Sequence, residues 1–167
     1  MRDSGKGMRA SGMTMRAIIF EDNEAYRTYL SSLLEERGYE VYAFSEAGGC
    51  PLYLQERCPC PEGYVCADII ITDLRMPRVT GLKLIEHQLR LGCKGRNIAI
   101  ISGRWSKADR SYALALGCKV LEKSIDTTEL IQWLEECEGK MDMHRRLWDW
   151  FKEEAAISPT HRDMIDG

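Results

Sequence analysis

Asp68-Ile69-Ile70-Ile71-Thr72-Asp73-Leu74-Arg75-Met76-Pro77 is the stretch whose reading decides the fold. Three isoleucines followed by Thr72 form a β-branched run with no polar alternation, the pattern of a strand buried on both faces inside a parallel sheet. The strand ends on a carboxylate, Asp73. Open α/β sheets gather their chemistry in the crevice beyond the carboxyl ends of their strands, and Met76-Pro77 with Gly81 supplies the turn into the next helix. One strand-end carboxylate is equally well explained as a loop or helix cap. What the other strand ends carry therefore decides between the two.

Upstream, Arg16 to Phe20 reads as another buried strand, and it runs directly into the acidic pair Glu21-Asp22. From Asn23, a suitable N-cap, Tyr26, Tyr29, Leu30, Leu33 and Leu34 recur at helical spacing until Gly38. Tyr39 to Phe44 is a strand, and Ser45 to Gln55 starts as a helix but is interrupted by Gly48, Gly49 and Pro51. Downstream, Thr80 to Leu91 is amphipathic, with Leu82, Leu84, Ile85 and Leu89 on its apolar side. Asn97 to Gly103 is a strand delivering Ser102, and Trp105 to Leu116 a helix closed by Gly117. Cys118 to Lys123 is a short fifth strand that delivers a lysine, and Thr127 to Glu138 is the last core helix. Five strands alternating with five helices predict an α/β, doubly wound parallel sheet with helices on both faces. The flavodoxin-like order 2-1-3-4-5 puts the switch point between strands 1 and 3, which carry Glu21-Asp22 and Asp73.

The chain has 167 residues, a mass of 19.1 kDa, a net charge of −3 and a pI near 5.7. That length suits one domain with extensions, and the acidic balance argues against general affinity for nucleic acid. No apolar run approaches the roughly 20 residues that cross a bilayer, and the first residues lack the apolar core of a secretory signal. A cytoplasmic protein is expected, with its seven cysteines as reduced thiols or metal ligands. Residues 1–14, rich in Gly, Ser and Met, are expected to be disordered.

Taken in order, Glu21-Asp22, Asp73 with Met76-Pro77 and Gly81 behind it, Ser102 and Lys123 sit on successive strand ends, and residues 15–140 resemble the receiver domain of bacterial two-component response regulators. The resemblance implies that Asp73 accepts a phosphoryl group from a sensor histidine kinase or phosphotransfer protein. It implies Mg2+ held by Asp22, Asp73 and the backbone carbonyl of Arg75, with Glu21 acting through a water. Lys123 would pair with the carboxylate and then with the phosphoryl oxygens, and Ser102 would hydrogen-bond the attached phosphoryl group. Carboxylates serve as nucleophiles in this way, and a hard cation with oxygen ligands offsets the meeting of two anions. Three departures from the family pattern stand out. Ser124 replaces a proline, Val120 takes the place of an aromatic switch residue, and Arg75 and Arg104 flank the pocket, where they are expected to obstruct attacking water.

Cys50, Cys58, Cys60 and Cys66 fall within a Pro-rich insertion, 50–66, that a standard receiver lacks. Four thiols could bind zinc or an iron–sulfur cluster, form a redox pair, or pack as small apolar side chains. The one-residue gap in Cys58-Pro-Cys60 is shorter than familiar zinc spacings. Cys93, Cys118 and Cys137 are expected to be packing residues. After residue 140, Met141, His144, Leu147, Trp148 and Phe151 fall on one helical face, so 141–167 is expected to be an amphipathic helical extension and tail. That face would fold back on its own domain or meet a partner or second subunit. The segment is too short for a DNA-binding or enzymatic output domain, so the signal is expected to leave through protein contacts. Two functions stay open: a phosphoacceptor receiver with a downstream protein target, or a phosphate-independent interaction or metal/redox-sensing module that uses the cysteine loop.

Overall fold

The computed structural model describes residues 14–95, 97–123 and 127–152. In chain order the elements are β1 (Met15–Phe20), α1 (Glu24–Glu36), β2 (Tyr39–Phe44), a 3-10 turn (Ala47–Gly49), β3 (Tyr64–Val65), β4 (Ile69–Asp73), α2 (Gly81–Arg90), β5 (Ile98–Ser102), α3 (Lys107–Ala115), β6 (Lys119–Glu122), α4 (Thr128–Gly139) and β7 (Arg146–Leu147). The main sheet is parallel throughout, in the order β2-β1-β4-β5-β6. Counted among its own five strands, that is the expected 2-1-3-4-5. The two short strands β3 and β7 pair separately, also in parallel.

Strand alternation divides the interior into two cores. Met15, Ala17 and Ile19 of β1 and Ile69 and Ile71 of β4 meet Leu30 and Leu34 of α1 and Leu130 and Leu134 of α4. The opposite faces of the same strands, Ile18, Phe20 and Ile70, meet Leu82, Leu84 and Ile85 of α2 and Ala113 of α3. Every residue of β1, β4 and β5 is buried, which is why these strands read as continuous apolar runs instead of alternating ones. The helices start where the sequence places caps. The Asn23 side chain accepts from the Tyr26 N–H, Thr80 from Lys83, and Ser106 from Asp109.

One expected helix is missing. Between β2 and β4 the chain makes the 3-10 turn, irregular turns and the two-residue β3 but no α-helix, because Gly48, Gly49 and Pro51 break the helical run. Among the described residues four α-helices result instead of five helices, and the sheet face beside β2 needs another cover. Cys50, Leu52 and Cys66 of the insertion provide part of it, and the carboxyl-terminal arm provides the rest: Trp150 is buried in that core, with Trp148 and Phe151 packed against it. The Trp150 ring lies 5.2 Å from that of Tyr42, and Phe151 stacks on Tyr42 at 4.6 Å.

The expected helix over 141–152 is likewise not formed. The described part of the arm is extended and turned, and the remainder, 153–167, lies outside the described residues, as does 1–13. Polar contacts explain the extended path. Trp148 N–H donates to the Val65 carbonyl at 2.9 Å beside the β3–β7 pair. Arg16, a charged residue buried in β1, donates to Glu40, to Asp149 and to the Trp148 carbonyl. Arg145 holds both oxygens of buried Asp68, at 2.6 and 2.7 Å. A helix would bring one aromatic face to the sheet but would break these bonds to buried charges, which are costly to leave unpaired. Of the two destinations open to the aromatic residues, the structure has the arm folded back on its own domain.

Candidate functional site

β1 and β4 are neighbours in a register that sets Phe20 beside Thr72. The residues just past that level, Glu21-Asp22 and Asp73, therefore meet at the top of the sheet. One ligand oxygen from each of Glu21, Asp22 and Asp73 lies within 4.8 Å of the other two. β5 adds Ser102 on the next strand, and the Lys123 N–H donates to the Ser102 carbonyl at 2.8 Å, which carries Lys123 to the same end. Asp73, Arg75, Ser102, Gly103, Arg104 and Lys123 line an open cleft of about 650 Å³, and Glu21 and Asp22 adjoin it beside Asp73, so the structure gathers all five strand-end residues expected from the sequence.

Charge is crowded at this point. Glu21 is 1% exposed and Asp73 5%. The Lys123 ammonium lies 3.1 Å from Glu21 Oε1 and 3.4 Å from Asp73 Oδ2, so one cation serves two carboxylates. It also sits 4.8 Å from the ring centre of Tyr26, a cation–π contact. Burial, followed by repulsion from Glu21, pushes the Asp73 carboxyl up to about 7, with Lys123 and the Arg75 N–H acting the other way. Asp22, whose carboxylate lies within 4.8 Å of that of Asp73, also raises it. Glu21 Oε1 is buried close to the ammonium yet accepts no hydrogen bond, since Lys123 donates to Oε2 at 3.2 Å, as does the Asn23 N–H at 3.0 Å. Three hard oxygen donors, one of them orphaned, and excess negative charge suit a divalent cation such as Mg2+.

The rim is built from the loops after β4 and β5. Gly81 opens α2 so close to the aspartate loop that a Cβ there would stand 2.3 Å from the Asp73 carbonyl oxygen. The Ser102 hydroxyl donates to the Arg104 carbonyl at 2.8 Å and accepts the Arg104 N–H at 3.1 Å. It therefore rests against its own loop. The Arg75 guanidinium donates to the same Arg104 carbonyl at 3.3 Å, joining the two arginines across the mouth. Val120 is buried in the core, while the Trp105 indole N–H is fixed on the Leu121 carbonyl at 2.9 Å. Ser124 lies outside the described residues.

Two participants escaped the sequence reading. Tyr26 looks like a core residue at helical spacing, yet its ring backs Lys123, and burial with the nearby Tyr29, Glu21 and Asp73 raises its hydroxyl to about 12. Its position in the first turn after the acidic pair is the signal that could have found it. The second is Cys93. The sequence groups Cys50 with Cys58, Cys60 and Cys66, but the structure separates it: Cys50 is 2% exposed in the core, and its sulfur meets the backbone of Leu52 and Tyr53. Cys93, treated as a packing residue, stands instead beside Cys66 and Cys58.

A five-stranded doubly wound sheet with an acidic trio and a lysine at its switch point defines a receiver-type signalling module. The model of the response regulator receiver domain family matches residues 17–135, and the chain belongs to that family. It is 30% identical over 117 residues, 70% of this chain and 46% of the relative, to a probable transcriptional regulatory protein of Picosynechococcus sp.. It is 37% identical over 73 residues, 44% of this chain and 29% of the relative, to the virulence transcriptional regulatory protein PhoP of Salmonella typhimurium. The chain thus spans less than half the length of these relatives. In fold it is similar to a CheY-like response regulator receiver domain protein from Methanospirillum hungatei, with a TM-score of 0.60 at 22% identity over 76% of this chain and 95% of that one. It is also similar to the N-terminal domain of an uncharacterized protein from Wolinella succinogenes, with a TM-score of 0.62 at 24% identity over 75% and 95%. Among the described residues, no helix is long and apolar enough to cross a membrane.

Proposed function

We propose that this receiver is the phosphoacceptor of a cytoplasmic two-component phosphorelay and takes its phosphoryl group on Asp73 from a sensor histidine kinase or phosphotransfer protein. The observation that carries this reading is the single Lys123 ammonium shared by Glu21 and Asp73 within a trio of carboxylates. Glu21, Asp22, Asp73 and the Arg75 carbonyl would hold Mg2+, which supplies charge neutralisation for an incoming phosphoryl group.

The chain's own groups do the rest. With its proton displaced, Asp73 attacks phosphorus. An oxygen–phosphorus bond forms, and the phosphorus–nitrogen bond of the donor phosphohistidine breaks, leaving its electron pair on the imidazole. Lys123, a compact cation on a flexible stem, follows the negative charge from the carboxylate to the phosphoryl oxygens. Ser102 exchanges its bond to the Arg104 carbonyl for one to the phosphoryl group, and this frees the β5–α3 loop to rearrange. With Val120 in place of an aromatic residue on β6, the change is read from that loop and α3, where Trp105 reports it. The output is contact with a downstream protein target.

The test is titration with beryllofluoride and Mg2+, followed by tryptophan fluorescence, with Trp105→Phe to assign the signal. Saturable binding that Asp73→Asn abolishes is expected. A folded protein that binds nothing would instead favour a phosphate-independent interaction module.

A further inference from the structure

We infer that Cys58, Cys60, Cys66 and Cys93 form a four-thiolate site for one thiophilic divalent cation, zinc, which staples the insertion between β2 and β4 to the end of α2. The site is independent of the phosphoryl pocket. In a parallel sheet each helix returns the chain to the amino ends of the strands, so Cys93, just past α2, comes down beside Cys66, just before β4. Asp73 closes the other end of β4, and the two sites occupy opposite ends of the sheet.

The four cysteines are neighbours in series, Cys60 beside Cys58 and Cys66, and Cys66 beside Cys93. The Gly95 N–H donates to the Cys93 sulfur at 3.4 Å, and the backbones of Cys60 and Cys66 lie beside the sulfurs of Cys58 and Cys60. Amides aimed at sulfur stabilise thiolates and orient them for a metal, the role played by groups surrounding the ligands in metal centres. The backbone clamps the same two segments together, with the Cys58 N–H on the Leu91 carbonyl at 2.9 Å and the Lys94 ammonium on the Pro61 carbonyl at 3.0 Å. Lys94 also places a positive charge near Cys60 to offset the negative charge of a tetrathiolate. Cys50, held in the core by backbone contacts, takes no part.

Among the described residues, only the carboxylate trio has three ligand atoms all within 4.8 Å of one another. The sulfurs thus form a chain of neighbours that must close on the ion toward the roughly 3.8 Å spacing implied by ~2.3 Å zinc–sulfur bonds in a tetrahedron. A single ion asks for the least rearrangement of cysteines that already neighbour one another. On binding, each protonated thiol loses its proton to solvent and its sulfur forms a metal–sulfur bond, with no change of oxidation state. The insertion has the most to gain, since it has no helix of its own and lies across a core that a helix would otherwise cover.

The full chain, purified under reducing conditions, is tested with zinc alone and with cobalt alone. Stoichiometric zinc, and cobalt spectra with the sulfur charge-transfer and d–d bands of a tetrahedral thiolate site, are expected. Cys60→Ser and Cys93→Ser should lose the bands, while Cys50→Ser and Cys118→Ser keep them. Alkylation mapping of the unsubstituted protein avoids any question of misfolding: Cys58, Cys60, Cys66 and Cys93 should become reactive together when a chelator removes zinc. A folded chain that binds neither metal, iron with sulfide in its place, or Cys93 alkylating equally with and without zinc would overturn the assignment. Retained beryllofluoride binding in a chain that fails these tests would leave the phosphoryl reading intact.

Discussion

Replacing Asp73 by asparagine should make the metal-free protein more stable at alkaline pH. Burial and the Glu21 charge push the Asp73 carboxyl from an ordinary 3.8 up to about 7. A carboxyl raised in the folded state contributes most below its unfolded value, and that contribution is lost as pH rises through the folded value. Stability should therefore fall between about pH 4 and pH 7 as Asp73 is forced to ionise beside Glu21. At ~1.4 kcal/mol per tenfold change in proton affinity, the full shift corresponds to about 4 kcal/mol. The carboxylate borders an open, wet cleft, and screening there leaves about 1–3 kcal/mol. Asparagine retains an acceptor for the Arg75 N–H, and Lys123 keeps its bond to Glu21, so no buried cation is orphaned. Urea unfolding in a chelator, from pH 4 to pH 8.5, is the assay. The advantage of the Asp73→Asn variant should vanish near pH 4 and be full by pH 8, and Mg2+ should stabilise the parent alone. An advantage that does not vary with pH, or none at pH 8, would refute the reasoning that links burial and charge crowding to this carboxyl.

Gly81→Ala should destabilise the protein by about 1–3 kcal/mol and weaken beryllofluoride binding, although alanine is the better helix former, because its Cβ would collide with the Asp73 carbonyl; urea unfolding and the titration check both. Arg75→Ala should shorten the lifetime of the phosphorylated protein several-fold by removing the guanidinium that spans the mouth to the Arg104 carbonyl, whereas Arg104→Ala, which keeps that carbonyl, should shorten it less, both measured as loss of acid-labile phosphate. Trp150→Ala should cost about 3–5 kcal/mol, because the arm takes the place of a helix in the core, and thermal unfolding would show it. Arg145→Ala should cost about 3–5 kcal/mol by leaving the Asp68 carboxylate buried without its cation, and Asp68→Asn in the same chain should recover part of the loss.

The sheet and the pocket were readable in the residues because both are local in sequence. Ile69 to Thr72 announces a strand buried on both faces, and each functional side chain closes or follows such a run, so topology alone brings Glu21, Asp22, Asp73, Ser102 and Lys123 together. What the sequence concealed depends on contacts between distant segments. Trp148 and Phe151 fall at helical spacing, yet their path is set by Arg16 and Val65, far away in the chain. Cys93 reads as a small apolar residue at a helix end, and only the return of α2 to the foot of β4 puts it beside Cys66. The resting place of the Ser102 hydroxyl on the Arg104 carbonyl belongs to a loop conformation that composition does not encode.

Helix α2 is fastened at both ends. Its first residue touches the Asp73 carbonyl and donates to Leu74, and past its last turn the Leu91 carbonyl is tied to Cys58. Mechanically it is a pinned strut with little freedom to slide along its axis. The other edge of the sheet is held more lightly, with α3 joined to α2 through the Tyr112 hydroxyl on Glu86 and to the sheet beside the four-residue β6. A rearrangement at the aspartate is then expected to be felt at the α3–β6 edge more than at the aromatic arm.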